Sequence, residues 1–180
     1  MILKVMRTPT GLSALFLCLT APLTYVLLVR SQTPQPAPAP TASRRIETKH
    51  FRFSIPADMK ERPVHGIDLS VWKYSNEKIT LDVQYGLYPD DLKSYSEQPD
   101  YQQAAIKING FEAIQVTFRL DESLAAHFSG LGRHVAAVHF PNLANGYGTQ
   151  VTMWANCASA AEQQVAKDIF STIEFTKTDK

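Results

Sequence analysis

Residues 79–87 read ITLDVQYGL and carry the clearest strand pattern in the chain. Alternate positions are apolar or aromatic, namely Ile79, Leu81, Val83, Tyr85 and Leu87. A period of two is typical of a strand that buries one of its faces. We therefore expect a strand here, paired with the strand that precedes it.

Two shorter alternating runs come earlier in the sequence. Their apolar positions are Phe51, Phe53 and Ile55 in the first run, and Ile67, Leu69 and Val71 in the second. Pro56 ends the first run because proline cannot donate to a sheet ladder. Asn76-Glu77 provides a turn between the second run and residues 79–87.

Further strands are expected in the second half of the chain. Asn109-Gly110 is the strongest short-range turn signal, because both residues tolerate positive φ, and it predicts a two-residue hairpin. The apolar positions on its two arms are Ile106 and Ile108, then Ile114, Val116, Phe118 and Leu120. After a polar excursion at 121–132, strands are expected at 133–140 and 151–157. The last strand has Val151, Met153, Ala155 and Cys157 on one face and Thr152 and Trp154 on the other.

The C-terminal part predicts one amphipathic helix. Ser159 and Glu162 have the spacing of a capping box, in which each side chain satisfies a free amide of the first turn. The apolar stripe that follows contains Ala158, Ala161, Val165, Ile169, Phe170 and Ile173. Residues 173–175 are expected to leave the helix as a short tail. Hairpin strands before one such helix predict an α+β fold, an antiparallel β-sheet covered by the C-terminal helix.

The N-terminus has the features of a membrane segment. An apolar run extends from Gly11 to Val29 after the basic residues Lys4 and Arg7. As a helix it would be about 28 Å long, close to the roughly 30 Å of a bilayer core. The run exceeds the apolar core of a secretory signal, and Pro22 disfavours an early cleavage site. We therefore expect a signal anchor over residues 1–30, with a cleaved signal or a buried helix as alternatives.

Residues 31–44 are interpreted as a proline-rich linker, and residues 45–178 as one soluble domain. Proline alternates with other residues between Pro34 and Pro40, which favours a polyproline II spacer with a reach of at most roughly 40 Å. The basic N-terminal tip favours the cytoplasmic side. The chain is then a single-pass membrane protein with an extracytoplasmic, periplasmic domain, and a secreted form is the alternative.

Charge and cysteine content narrow the possible functions. Residues 1–44 contain four Lys or Arg and no acidic residue, whereas the remainder has 14 basic and 17 acidic residues and a net charge of −3. A mildly acidic domain without a basic stripe argues against a nucleic acid partner. Cys18 lies in the apolar run, so Cys157 is alone in the domain and no intradomain disulfide can form.

The order of these signals resembles the PsbP-like domain family. The resemblance rests on FRFSIP at 51–56, IKINGFEAIQVTF at 106–118, TQVTMWANC at 149–157 and SAAEQQVAKDIFSTIEF at 159–175. It covers roughly residues 46–176. Members are small extracytoplasmic or lumenal α+β domains, mostly binders without catalysis. The resemblance therefore implies a docking role, although a retained anchor departs from the processed photosystem subunits.

Few residues point to catalysis or metal binding. His134 and His139 are five apart on an expected strand, so they face opposite sides and cannot chelate one metal ion together. Cys157 precedes the capped helix, whose N-terminus could favour a thiolate, yet its apolar strand face favours a buried, inert cysteine. Asp90-Asp91 is interpreted as a cap of a helical turn over 91–95. We expect no catalytic residue, no cofactor and no metal site.

Aromatic residues are the best candidates for a partner-binding surface. Tyrosines in loops are favoured contact residues, because each is large and has a polar tip. The loop candidates are Tyr88, Tyr95, Tyr101 and Tyr147. Each of them could instead pack against the sheet. Trp72 and Trp154 fall on the polar side of their predicted strands, so they mark an exposed patch or belong to a second core layer.

The leading functional prediction is a membrane-anchored, non-catalytic module that docks on another protein in an envelope or assembly complex. The linker would raise the local concentration of the module near its target. One alternative is a binder of a small apolar ligand or lipid, held in a cleft between the sheet and the final helix. A third interpretation is a hydrolase or redox enzyme that uses Cys157.

Overall fold

The structure is a computed structural model, and it describes residues 42–64, 66–127, 131–143 and 149–176. The strands are β1 (Ser43–Glu47), β2 (Phe51–Pro56), β3 (Lys60–Arg62), β4 (Ser70–Ser75), β5 (Ile79–Gly86), β6 (Gln102–Ile108), β7 (Phe111–Arg119), β8 (His134–Phe140), β9 (Gln150–Cys157) and β10 (Glu174–Phe175). The helices are α1 (Glu122–Ala125) and α2 (Ala160–Ser171), with a 3₁₀ turn over Lys93–Tyr95. Antiparallel strands followed by one C-terminal helix make an α+β fold, as the sequence predicted.

Seven strands form one antiparallel sheet in the order β3-β4-β5-β9-β8-β7-β6. The alternating stretch that begins at Ile79 forms β5, which pairs with β4 as predicted and with β9 on its other side. A smaller antiparallel sheet has the order β1-β2-β10. The two edges of the large sheet are therefore β3 and β6.

One face of the large sheet, the inner face, carries the main core. Leu81, Val83 and Met153 on this face have no exposed surface. Phe53 from β2 and Phe170 from α2 belong to the same apolar cluster. The small sheet and α2 therefore cover the inner face, which is the layered arrangement that an α+β fold requires.

The opposite, outer face carries a second and smaller core. Phe118 is 1% exposed and Trp154 is 6% exposed. The ring of Tyr95 stacks on Phe118 at 5.3 Å and lies 4.8 Å from the ring of Trp154. Leu92 joins this cluster from the same loop. The loop between β5 and β6 thus supplies a second layer, and Trp154 belongs to the core.

A chain of hydrogen bonds fastens this loop to the sheet. The Thr152 hydroxyl donates to the Asp90 carbonyl oxygen at 2.6 Å. Because the hydroxyl has a single hydrogen, it accepts from His139 Nδ1 at 2.8 Å. Burial lowers the pKa of His139, although the Asp91 and Asp90 carboxylates oppose this shift. The bond to Thr152 requires a proton on His139 Nδ1, and burial disfavours a second proton on the ring.

The strand predicted around Ile67 begins later than expected. β4 starts at Ser70, and Ile67 is 99% exposed. A Cβ atom on Gly86 would lie only 2.4 Å from Leu69 Cδ2, so the Leu69 side chain occupies the space above Gly86. The register pairs Trp72 with Val83, which places Trp72 on the inner face. The prediction that Trp72 lies on the polar side of its strand was wrong.

Helix α2 begins where the sequence predicted, but its cap differs from a full capping box. The Ser159 side chain accepts from the Ala161 amide at 3.1 Å. The Glu162 carboxylate accepts from the Ser159 hydroxyl instead of reaching back to the Ser159 amide. Only one amide of the first turn is satisfied by this pair of side chains.

The apolar stripe of α2 is also rotated from the predicted one. Its buried residues are Ala166, Ile169 and Phe170, whereas Val165 is 38% exposed. Positions separated by three and four residues share one helix face. The core therefore selects the face that includes Ala166, and the prediction that Val165 lies in the stripe was wrong.

Three short strands were absent from the prediction. β1 and β3 contain little or no apolar alternation, since β1 buries only Ile46 and all three residues of β3 are exposed. β10 comprises residues that were expected to form a free tail, yet it pairs with β2. Glu174 of β10 accepts from Arg52 Nε at 2.7 Å, which links the two strands through charge as well as backbone.

The predicted anchor between Gly11 and Val29 lies outside the described residues. Within the described part of the chain, neither α-helix has the length and apolar character needed to cross a membrane.

Candidate docking surfaces

Three of the predicted contact residues come together on the outer face, but they pack inward. Trp154 is buried, and Tyr95 and Tyr101 both lie against Phe118. The Tyr95 hydroxyl donates to the Asp90 carboxylate at 2.8 Å, and burial is the main cause that raises the pKa of Tyr95 to about 12. These residues form a packing layer, so Trp154 and Tyr95 are not part of an open surface.

The other predicted contact residues lie in different places. Tyr88 is 84% exposed. Trp72 is half-buried and meets Phe51 edge-on at 5.4 Å, so it serves packing. Tyr147 lies outside the described residues. Tyr88 is therefore the predicted residue that the structure leaves open to a partner.

Tyr88 follows β5 at one end of the large sheet, where two other large apolar residues are also exposed. Ile67 is 99% exposed and Leu87 is 50% exposed. The contact of Leu69 with Gly86 brings the loop before β4 against the end of β5, so Ile67 and Leu87 flank this contact. We call Ile67, Leu87 and Tyr88 the end patch. Of the three residues, Tyr88 was predicted as a contact residue, whereas Ile67 and Leu87 were both expected on buried strand faces.

The end patch lies away from the point where the chain enters the domain. Ser43 at the start of β1 pairs with Pro56 at the end of β2. Phe51, at the other end of β2, packs on Trp72 and Tyr85 near the patch. The first described strand therefore begins at the opposite end of the sheet from the patch.

The edge strand β6 is long and regular. It pairs with β7 over all of Gln102–Ile108, without a bulge. Asn109 and Gly110 have φ angles of 50° and 91°, which are the positive values of a two-residue hairpin. Ile108 is buried and Ile106 is half-buried, so β6 is attached to the main core through two apolar side chains.

Three of the seven residues of β6 turn their backbone groups away from the sheet. In a two-residue hairpin the closing pair, Ile108 and Phe111, is hydrogen-bonded, and bonded pairs then alternate along the strands. The residues whose N–H and C=O groups point outward are consequently Gln103, Ala105 and Lys107. Among the described residues, none donates to or accepts from these backbone groups.

The opposite edge strand, β3, has a different character. It contains only Lys60, Glu61 and Arg62, all exposed and charged, and Pro63 follows. Arg62 Nε donates to the buried Ser75 hydroxyl at 2.8 Å. Short length, charge and proline are the devices by which natural proteins protect a sheet edge.

A shallow pocket of about 210 Å³ lies between α2 and strands β6, β7 and β8. Its polar lining residues are Asp100, Gln102, Thr117, Arg119, His134 and Gln163. Arg119 pairs with Asp100 at 3.3 Å, and Gln163 Nε2 donates to the Val135 carbonyl oxygen at 2.8 Å. This lining suits a polar ligand and differs from the apolar cleft that the ligand-binding alternative expected.

Cys157 has the properties of a structural thiol. It is fully buried, and its Sγ donates to the Ala155 carbonyl oxygen at 3.7 Å. Burial raises the pKa of Cys157 to about 12, and the nearby Glu162 carboxylate adds to the effect. The thiolate needed for a nucleophile is therefore scarce at neutral pH. The helix N-terminus was expected to favour the Cys157 thiolate, but burial has the larger effect and favours the thiol.

The histidines of β8 lie on opposite faces, as predicted. His134 pairs with Cys157 across the inner face, and His139 pairs with Thr152 across the outer face. Among the described residues, no three His, Cys, Asp or Glu side chains converge as metal ligands would.

No protein-family model matches the chain, and no curated protein matches it.

Proposed function

We propose that this chain is a membrane-anchored, non-catalytic module that docks on another protein in an envelope or assembly complex. In this proposal the run between Gly11 and Val29 holds the chain in the membrane and residues 31–44 act as a spacer. The domain works on the extracytoplasmic side, and we propose that it is of the PsbP-like kind. Support comes from the sequence of the N-terminal segment and from the resemblance described above.

The observation that carries the docking role is the end patch. Four large apolar side chains are exposed in the described part of the chain, and three of them, Ile67, Leu87 and Tyr88, form the patch. Fully burying one such side chain is worth roughly 1.5–3 kcal/mol. A partner that covers the patch would gain enough free energy to shift its affinity by an order of magnitude or more.

The position of the patch suits a tethered module. The first described strand begins at Ser43, at the other end of the sheet from the patch. A linker with a reach of roughly 40 Å keeps the domain near membrane neighbours and raises its local concentration.

Binding of a small apolar ligand has weaker support. The pocket beside α2 is lined mainly by polar side chains, including the Arg119–Asp100 ion pair. Apolar ligands prefer cavities lined by hydrophobic and aromatic side chains.

The test is chemical crosslinking in cells that express the full chain, followed by mass spectrometry of the captured proteins. We compare the unmodified chain with Tyr88→Ser and Ile67→Ser. The matched control is Val165→Ser, because Val165 is the fourth exposed large apolar side chain and lies on α2.

We expect a reproducible membrane or envelope partner whose recovery falls by about tenfold in the patch variants and is unchanged in the Val165 variant. Replacing residues 1–44 by a cleavable signal should also reduce recovery, because the effective concentration is lost. Recovery of the chain without any partner, or equal loss in all three variants, would contradict the proposal.

A further inference from the structure

The edge strand β6 can pair with a further strand, and its sequence favours one kind of neighbour. The outward N–H and C=O groups of Gln103, Ala105 and Lys107 form a free row along a strand of seven residues. Such a row pairs readily with another extended strand. Lys107 is the single charged side chain on β6, and the strand contains no proline. β6 therefore lacks the short length, the high charge and the proline that protect β3.

The edge is complementary to itself. An antiparallel pair of two β6 strands, with its two-fold axis at Ala105, aligns all seven residues and bonds every outward group. In this register Lys107 faces Gln103 of the other copy, so like charges are not opposed. Gln103 Oε1 already accepts from the Tyr101 hydroxyl at 2.8 Å and keeps a second lone pair for the ammonium group.

The side chains on the inner face of β6 fit in the same register. Ala104 is exposed and would face Ile106 of the other copy, so a small side chain meets a large one. Cross-strand pairs of this kind stabilise a sheet. Moving the two-fold axis by one residue, to Ala104 or Ile106, would leave fewer of the outward backbone groups paired.

We propose that β6 pairs with β6 of a second copy, in antiparallel orientation about a two-fold axis at Ala105, to form one continuous sheet across two chains. Two-fold homodimers with the same patch on both subunits are the commonest oligomers. The contact is small, so membrane tethering would assist it by raising the local concentration. It involves the sheet edge remote from the end patch, so it does not depend on docking at that patch, although the assistance from tethering rests on the proposed membrane anchor.

The geometry of the pair gives a register-specific test. The two Ala105 Cα atoms would lie about 5.5 Å apart, the spacing of a hydrogen-bonded antiparallel pair. The two Ala104 Cα atoms would be offset along the strands and lie about 8 to 9 Å apart. A disulfide requires a Cα separation below about 7 Å. Ala105→Cys should therefore crosslink, whereas Ala104→Cys, an equally exposed neighbour, should not.

The experiment uses the full chain with Cys18→Ser, reconstituted in lipid bilayers and treated with copper phenanthroline in air. Cys157 remains, because it is buried and unreactive. Nonreducing gels measure the dimer. We expect about tenfold more dimer from Ala105→Cys than from Ala104→Cys. A second variant carries Gln103→Cys and Lys107→Cys, which face each other across the proposed pair and should give a crosslinked dimer. Adding Ala105→Lys to this variant should abolish that dimer.

Equal crosslinking of the Ala105 and Ala104 variants, or none from either, would overturn the proposal. So would a crosslinked product that contains a different protein. Tryptophan fluorescence shows that each variant is folded, since both tryptophans of the chain, Trp72 and Trp154, lie in the described domain.

Discussion

The two edges of the large sheet, β3 and β6, differ in length, charge and attachment. β3 has three exposed, charged residues, whereas β6 has seven residues and one charge. Both edges belong to one sheet and are exposed to the same solvent. The difference shows that this fold protects one edge and leaves the other free to pair.

The attachment of the two edges explains how an open edge persists in a folded domain. β6 is held by buried Ile108, half-buried Ile106 and the Asn109-Gly110 hairpin. β3 is held by polar contacts such as the bond from Arg62 to Ser75. An edge fixed by apolar side chains stays in register while its outer groups remain available.

The largest effect is expected from removing the apolar attachment of β6. Ile108→Ala should lower the free energy of unfolding by about 2–4 kcal/mol, because a buried side chain leaves a cavity. Lys60→Ala on β3 should change it by less than about 0.5 kcal/mol. Urea unfolding of the full chain in detergent, followed by tryptophan fluorescence, measures both. A similar decrease in the free energy of unfolding for the two variants would contradict the proposed difference in attachment.

An intermediate effect comes from pH and separates folding from pairing. Burial depresses the pKa of His139 in the folded state, so the unfolded state binds more protons near its usual pKa of about 6.5. Stability is complete above that pH and falls as the pH decreases through it toward the lower folded-state pKa. We expect acidification from pH 7.5 to pH 5 to lower the urea midpoint.

Two variants check the origin of this pH effect. His139→Gln should reduce the pH dependence and leave the part due to His50, whose pKa burial also lowers. His127→Gln, at an exposed residue near α1, should retain the full dependence. β6 carries no histidine, so crosslinking through Ala105→Cys should persist wherever the domain is folded. A pH dependence that His139→Gln leaves undiminished would assign the effect to another group.

The smallest effect on folding, with a complete effect on pairing, is expected from Ala105→Lys. Ala105 is exposed and its backbone groups are free, so the unfolding free energy should change by less than about 0.5 kcal/mol. The substitution places like charges opposite each other and reproduces on β6 the charge that protects β3. Sedimentation of the detergent-solubilised full chain should then show a monomer. A dimer of unchanged stability would contradict pairing through β6.

Much of the fold could be predicted because strong local signals agreed with the tertiary structure. The alternation at 79–87 marks β5, and Asn109-Gly110 forms the expected hairpin with positive φ at both residues. Ser159 marks the start of α2. In each case the residues that decide the element are neighbours in sequence.

The remaining features depend on contacts that local patterns do not encode. β3 lacks apolar residues and exists because β4 lies beside it. The burial of Trp154 requires the loop that carries Tyr95, which is remote in sequence. The exposure of Ile67 follows from the position of Leu69 above Gly86. The end patch and the free edge of β6 were thus invisible to periodicity, which reports the faces of a strand but not what lies beside it.

The most direct test of the difference between the edges is amide hydrogen exchange, measured by NMR on the full chain in detergent micelles at low and high protein concentration. The Ala104 amide bonds to β7 and should be protected at both concentrations. The Ala105 amide should exchange freely at low concentration and at least about tenfold more slowly at high concentration, while the β3 amides do not change. Free exchange of the Ala105 amide at both concentrations would contradict an open edge that pairs with its own copy. So would a gain in protection of the β3 amides at high concentration that equals the gain at Ala105.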